Sequence, residues 1–143
     1  MPITIRGKRT RGLGIATETV AAQMPQLVRS FPEIKDCFPG TINVELETPL
    51  VVERPDHQTG LMTWIYKGAP VTEHFGFLRI EFEAPPGAPR VPAWLYIASA
   101  SPHRQTPRIH EVLAPRVEIP AVCDCAIHID RRFTTSPDGS ITV

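Results

Sequence analysis

The sharpest pattern in the chain lies at 41–46, where Ile42, Val44 and Leu46 alternate with Thr41, Asn43 and Glu45. A period of two places alternate side chains on opposite faces of a strand, so this segment predicts a strand with one face in a core. Ile3 and Ile5 against Thr4 and Arg6 predict another at 3–9. Further strands are expected at 61–67, 74–83 and 93–99, each bounded by Gly or Pro, and a last core strand at 126–130. Helical spacing is weaker. Val20, Met24, Leu27, Val28 and Phe31 predict a helix over 17–31, with Pro25 dividing it and opening a short second helix. Pro107–Leu113 reads as one short helix, with Pro115 just past its end.

Turn chemistry fills the gaps. Gly12-Leu13-Gly14 breaks the first strand, Phe38-Pro39-Gly40 is a turn, and Pro85-Pro86-Gly87-Ala88-Pro89 is a rigid loop between strands. Ser136-Pro137-Asp138-Gly139 either folds 140–143 back onto 131–135 or leaves a frayed tail. Many short strands with few helical patches predict a mainly β fold. The expected form is a single six-stranded barrel with one or two short helices, since closure removes exposed edges. The barrel domain is expected over 1–130, with 131–143 as a C-terminal tail or hairpin.

Composition sharpens this picture in three places. Sixteen prolines among 143 residues favour short elements and rigid loops over long helices. Lys+Arg and Asp+Glu balance at 15 each, which argues against nucleic acid or an anionic membrane as the main partner. The local cluster Arg6, Lys8, Arg9 and Arg11 reads as a solvated strand edge. Three cysteines, no apolar run of roughly 20 residues and no leader pattern after Met1-Pro2 suggest a cytoplasmic protein with reduced thiols. The sequence implies no protein partner.

The familiar phosphate-binding and hydrolytic signatures, including the P-loop, G-x-G-x-x-G, G-x-S-x-G and H-E-x-x-H, are absent. Thr41 and Asn43 share one strand face with Cα atoms roughly 6.5–7 Å apart, so two neutral oxygens could converge on one cation. Such a pair suits Mg²⁺, which keeps waters and takes negative ligands from substrate phosphates. The alternative, which alternation alone favours, is a solvent-facing polar pair on a half-buried strand. Glu111, on the expected helix, could orient or deprotonate a hydroxyl, or be mere surface. Cys123-x-Cys125 with His128 lacks the spacing and fourth ligand of a zinc site, and the cysteines read as small buried hydrophobes.

Three segments, taken in order, resemble one family. Arg11-Gly12-Leu13-Gly14 is similar to an early Gly-Leu-Gly turn. Gly40-Thr41-Ile42-Asn43-Val44-Glu45-Leu46 is similar to a G-T-[LI]-N strand, and Glu111-Val112-Leu113-Ala114-Pro115 to a late acidic-apolar-Ala-Pro segment. The family is the CTP-dependent riboflavin kinase of archaea, a small cradle-loop β-barrel, and the resemblance covers about residues 3–130. It implies transfer of the γ-phosphoryl group of CTP to riboflavin, giving FMN and CDP. By position it makes Thr41 and Asn43 ligands of Mg²⁺. Gly12, Leu13, Gly14, Ile15, Ala16 and Thr17, with Arg116, Val117, Glu118 and Ile119, would line the nucleotide. Glu111 would contact the flavin, and His103 occupies the place of a threonine on the flavin phosphate, with Ser99 and Ser101 nearby. The chain departs from the family where the glycine turn runs on as Ile15-Ala16-Thr17, without a further glycine and basic residue. Val117-Glu118-Ile119 after Arg116 is also poorer in positive charge. Phosphoryl transfer depends on neutralising phosphate charge, so Arg9, Arg11 and Arg116 become the candidate compensating cations. A non-catalytic flavin- or nucleotide-binding module, or a kinase for another hydroxyl, is the alternative.

Overall fold

The strand at 75–83 is apolar on both faces, and this decides the architecture. Leu78, Ile80 and Phe82 alternate with Phe75 and Phe77, and all five are buried. A strand of this kind needs one core on each side. The computed structural model describes residues 2–10, 16–99 and 106–143, with 16–18 described by backbone alone. In chain order the elements are β1 (Pro2–Thr10), α1 (Ala16–Ser30), a 3-10 turn (Pro32–Ile34), β2 (Ile42–Leu46), β3 (Leu50–Val51), β4 (His57–Gln58), β5 (Met62–Tyr66), β6 (Ala69–Glu73), β7 (Phe75–Glu83), β8 (Val91–Ala98), β9 (Ile109–Leu113), β10 (Cys123–Asp130), β11 (Thr134–Thr135) and β12 (Ile141–Thr142).

Six of these form the closed antiparallel barrel that the alternation predicts, in the order β10-β1-β2-β9-β8-β7, with β7 pairing back onto β10. Its interior holds Ile5, Val44, Leu46, Leu78, Leu95, Val112, Ile127 and Ile129. Ile42, Val44 and Leu46 do face this core, as their spacing requires. The second core lies outside the barrel wall. There α1 lays Val20 and Leu27 against Phe75, Phe77, Tyr96, Ala98 and Leu113, with Trp64 of the β5–β6 hairpin. Lys67 and Gly68, both with positive φ, form the two-residue loop of that hairpin. Among the described residues no helix is long and apolar enough to cross a membrane.

Three expectations are corrected, and one open alternative is resolved. Residues 109–113 form a strand, not a helix: β9 is paired by β2 on one side and β8 on the other. Seven residues between Pro107 and Pro115 are too few to stabilise an isolated helix, and two ladders outweigh them. Pro25 does not divide α1, because Val20 and Leu27 on either side of it anchor in the same layer. The basic residues Arg6, Lys8 and Arg9 lie on no sheet edge, since β1 is flanked by β10 and β2. The C-terminal residues form the hairpin alternative: β11 and β12 pair, β12 adds to β3, and Val143 is buried in the barrel core.

One side chain spans the closure. His128 on β10 bonds Thr4 Oγ1 of β1 through Nδ1 at 2.8 Å and Glu83 Oε1 of β7 through Nε2 at 2.7 Å. The Gly87 N–H, donated to Glu83 at 2.6 Å, and then the His128 ring hold this carboxyl below its ordinary value. A depressed carboxylate stabilises the fold above its unfolded pKa, near 4.3, and loses that contribution as pH falls toward the folded value. Thermal melts from neutral pH into acid should therefore show Glu83→Gln losing stability less steeply than wild type below about pH 5. Parallel curves would remove Glu83 from the closure.

Candidate functional site

Strand register builds the site. Thr10, Asn43, Glu111, Tyr96, Phe77 and His57 are successive Cα partners across β1, β2, β9, β8, β7 and β4. Partners in an antiparallel ladder share a face, so this row lies on the outer wall beneath α1. Its far end is aromatic, with Phe77 and His57 against Phe31. Its near end is polar, and that end carries the candidate chemistry.

Asn43 is only 7% exposed, and its Oδ1 has no hydrogen-bond partner among the described residues. This corrects the reading of a solvent-facing polar pair. A buried acceptor left unmade costs about 1–3 kcal/mol, so it marks a place where structure has yielded to something else. Directly across the ladder, Glu111 Oε1 accepts the Thr41 hydroxyl at 2.9 Å. Thr41, Asn43 and Glu111 thus stand together, although sequence placed Glu111 on a separate helix. Next in the row, the Tyr96 hydroxyl donates to Gln23 Oε1 of α1 at 2.5 Å. Burial, and then the negative charges of Glu111 and Glu73, push the phenol above its ordinary pKa, so it stays a donor. Glu73 accepts Trp64 Nε1 at 2.6 Å. Gln23, Glu73 and Tyr96 are site residues that sequence reasoning missed. The usable signal for Tyr96 was its place in the strand at 93–99; Gln23 gave none.

The segment Arg116–Ile119 follows β9 at this same end of the barrel. Arg9 Nη1 donates to Ile119 O at 2.8 Å and Pro120 O at 3.1 Å, tying the loop to the end of β1. Val117 and Ile119 are half-buried, while Arg116 and Glu118 are exposed. The Arg116 guanidinium lies 6.0 Å from the Phe38 ring centroid, and Phe38 N donates to Ala114 O at 2.9 Å. Gly12, Leu13, Gly14, Ile15, His103 and Ser101 lie outside the described residues. Ala16 and Thr17 open α1, and the chain leaves β1 at Thr10, the Cα partner of Asn43. Ser99 Oγ accepts the His74 N–H at 3.0 Å.

Among the described residues no three His, Cys, Asp or Glu side chains group as metal ligands. Cys125 points into the barrel and His128 bridges its outer wall, so the two cannot share an ion. An amide oxygen, a hydroxyl and one carboxylate do suit Mg²⁺, which draws most of its negative ligands from a bound phosphate. The orphaned Asn43 Oδ1 fits that use. A separate concavity of about 490 Å³ overlies the closure, lined by Thr4, Asp56, Arg79, Arg90, His128 and Arg131. Each of its arginines already pairs with a carboxylate.

Comparison with known protein families and with curated proteins finds no match to this chain.

Burial of Asn43 is directly testable. Asn43→Asp keeps the side-chain volume but sets a second carboxylate opposite Glu111, and like charges in a buried site disfavour ionisation. Its melting temperature should fall by several degrees at neutral pH and recover as pH drops into the carboxylate range. An unchanged melt at neutral pH would return Asn43 to a solvated surface.

Proposed function

We propose that the chain is a Mg²⁺-dependent phosphotransferase of the CTP-dependent riboflavin kinase type. It moves the γ-phosphoryl group of CTP to the 5′-hydroxyl of riboflavin, giving FMN and CDP. The observation carrying this reading is the buried Asn43 Oδ1, without a hydrogen-bond partner among the described residues, beside the Thr41–Glu111 hydrogen bond. It is supported by the position of this group, at the barrel end where residue 10 exits and segment 116–119 passes.

Asn43 Oδ1 and Thr41 Oγ1 would hold the ion, which supplies charge neutralisation at the phosphates. Glu111 already accepts a hydroxyl proton donor, and a strand paired on both sides holds it firmly. In the reaction it orients the riboflavin hydroxyl and receives its proton as the new O–P bond forms. The bond from the γ-phosphorus to the bridging oxygen breaks, and CDP leaves with that electron pair. Gln23 and the protonated Tyr96 hold the next position of the row. By the resemblance alone, His103 would serve the flavin phosphate, and Gly12–Thr17 with Arg116–Ile119 the nucleotide. The protein works in the cytoplasm on small molecules, without nucleic acid, membrane or an inferred protein partner.

One observation favours the second reading, a flavin- or nucleotide-binding module without turnover. Arg9 donates to backbone carbonyls, which leaves Arg116 as the exposed candidate cation among the described residues, Arg11 lying outside them. Incubation with CTP, riboflavin and Mg²⁺, followed by chromatography, separates the two. The kinase yields FMN, and Glu111→Gln lowers the rate by roughly one hundred-fold, the scale of a lost general base. Binding of both substrates without FMN at high protein concentration would leave the module. Thermal shifts by CTP, ATP, riboflavin and FMN, with and without Mg²⁺, test the ligands independently.

A further inference from the structure

We infer that Phe38 and Arg116 form a stacking platform for the nucleobase, an inference that rests on the nucleotide reading above. Phe38 is a large apolar side chain left 41% exposed. Its backbone is fixed on both sides: Cys37 N donates to Ile34 O at 3.0 Å, Phe38 N to Ala114 O at 2.9 Å, and Gly40 N to Phe38 O at 2.8 Å. The ring is therefore held outward by a tight turn rather than by lack of structure, since its neighbours Ile34 and Cys37 are buried. Single exposed hydrophobics are ordinary, and other such residues of this chain need no explanation. Phe38 differs in its surroundings. It sits three residues before Thr41, within about 11 Å along the chain, and Arg116 lies over its face.

That pairing supplies what recognition of a small ring requires. A phenyl face offers apolar contact to any planar heterocycle, and a guanidinium stacks while keeping N–H donors for a carbonyl or phosphate oxygen. One phenyl ring matches one pyrimidine ring, whereas the three fused rings of a flavin overhang it. Arg116 also begins the segment tied down by Arg9, so ring, cation and loop form one connected surface at the barrel end. The nucleobase thus lies over Phe38 while the phosphates run toward Thr41 and Asn43.

The test uses calorimetric titration of wild type, Phe38→Ala and Phe38→Trp with CTP and with inorganic tripolyphosphate, each with Mg²⁺. Tripolyphosphate carries the phosphate chain without a base. Loss of base stacking in Phe38→Ala should weaken CTP by about tenfold or more. Tripolyphosphate should be unchanged, and Phe38→Trp should restore CTP. Phe38→Leu, which keeps apolar bulk without a π-face, serves if the alanine variant fails to fold, and should show the same selective loss. Equal weakening of both ligands, or unchanged CTP affinity, would overturn the platform alone and leave the nucleotide site standing. Loss of riboflavin binding in Phe38→Ala, read from the change in flavin fluorescence on titration, with CTP unaffected would also overturn it, by assigning the ring to the flavin. Wild type that binds neither CTP nor tripolyphosphate would remove the platform together with the nucleotide reading.

Discussion

Everything in this molecule depends on β10 pairing with β1 and β7 at once. That double pairing turns a six-stranded sheet into a barrel and gives each strand a fixed inside and outside. A slip of one residue would exchange the two faces of a strand completely. With closure in place, Val44, Leu95 and Val112 can only point inward, and Asn43, Glu111 and Tyr96 can only point outward. His128 guards this arrangement by reaching both neighbouring strands with its two ring nitrogens.

Two apolar layers then compete for the same strands. The inner layer is satisfied by the barrel itself, but the outer faces of β7, β8 and β9 need a cover, which α1 and the β5–β6 hairpin provide. The cover leaves polar groups beneath it near β2. Gln23 comes down from α1 to accept the Tyr96 O–H, while Asn43 keeps an oxygen unsatisfied among the described residues. The candidate site is thus the place where covering an apolar wall meets the polar end of one cross-strand row.

The barrel was legible because its strands alternate so plainly: Thr41–Leu46 alone fixes which residues face the core. Glu111 was legible as a residue but not as a place. Its segment lies between two prolines that bound a strand and a helix equally well, and only the ladders to β2 and β8 decide between them. Local pattern says nothing of pairing partners that lie 70 residues away, as Thr41 and Glu111 do. Asn43 shows the opposite failure. Alternation puts it correctly on the polar face, but a polar face implies exposure only where nothing covers it, and this outer wall carries a second buried layer.

Gly7 gives the register of the site a hidden dependence. A Cβ built there would stand 2.4 Å from the Glu45 carbonyl oxygen, so β1 and β2 meet at a distance only glycine permits. The next partners along that ladder are Lys8 with Glu45, Arg9 with Val44 and Thr10 with Asn43. Any side chain at position 7 would pry the two strands apart and shift Asn43 relative to Glu111. In a mutational survey scored by function, Gly7 would therefore register as a site position although it touches no ligand-facing group. Its role is that of a spacer whose thickness is zero.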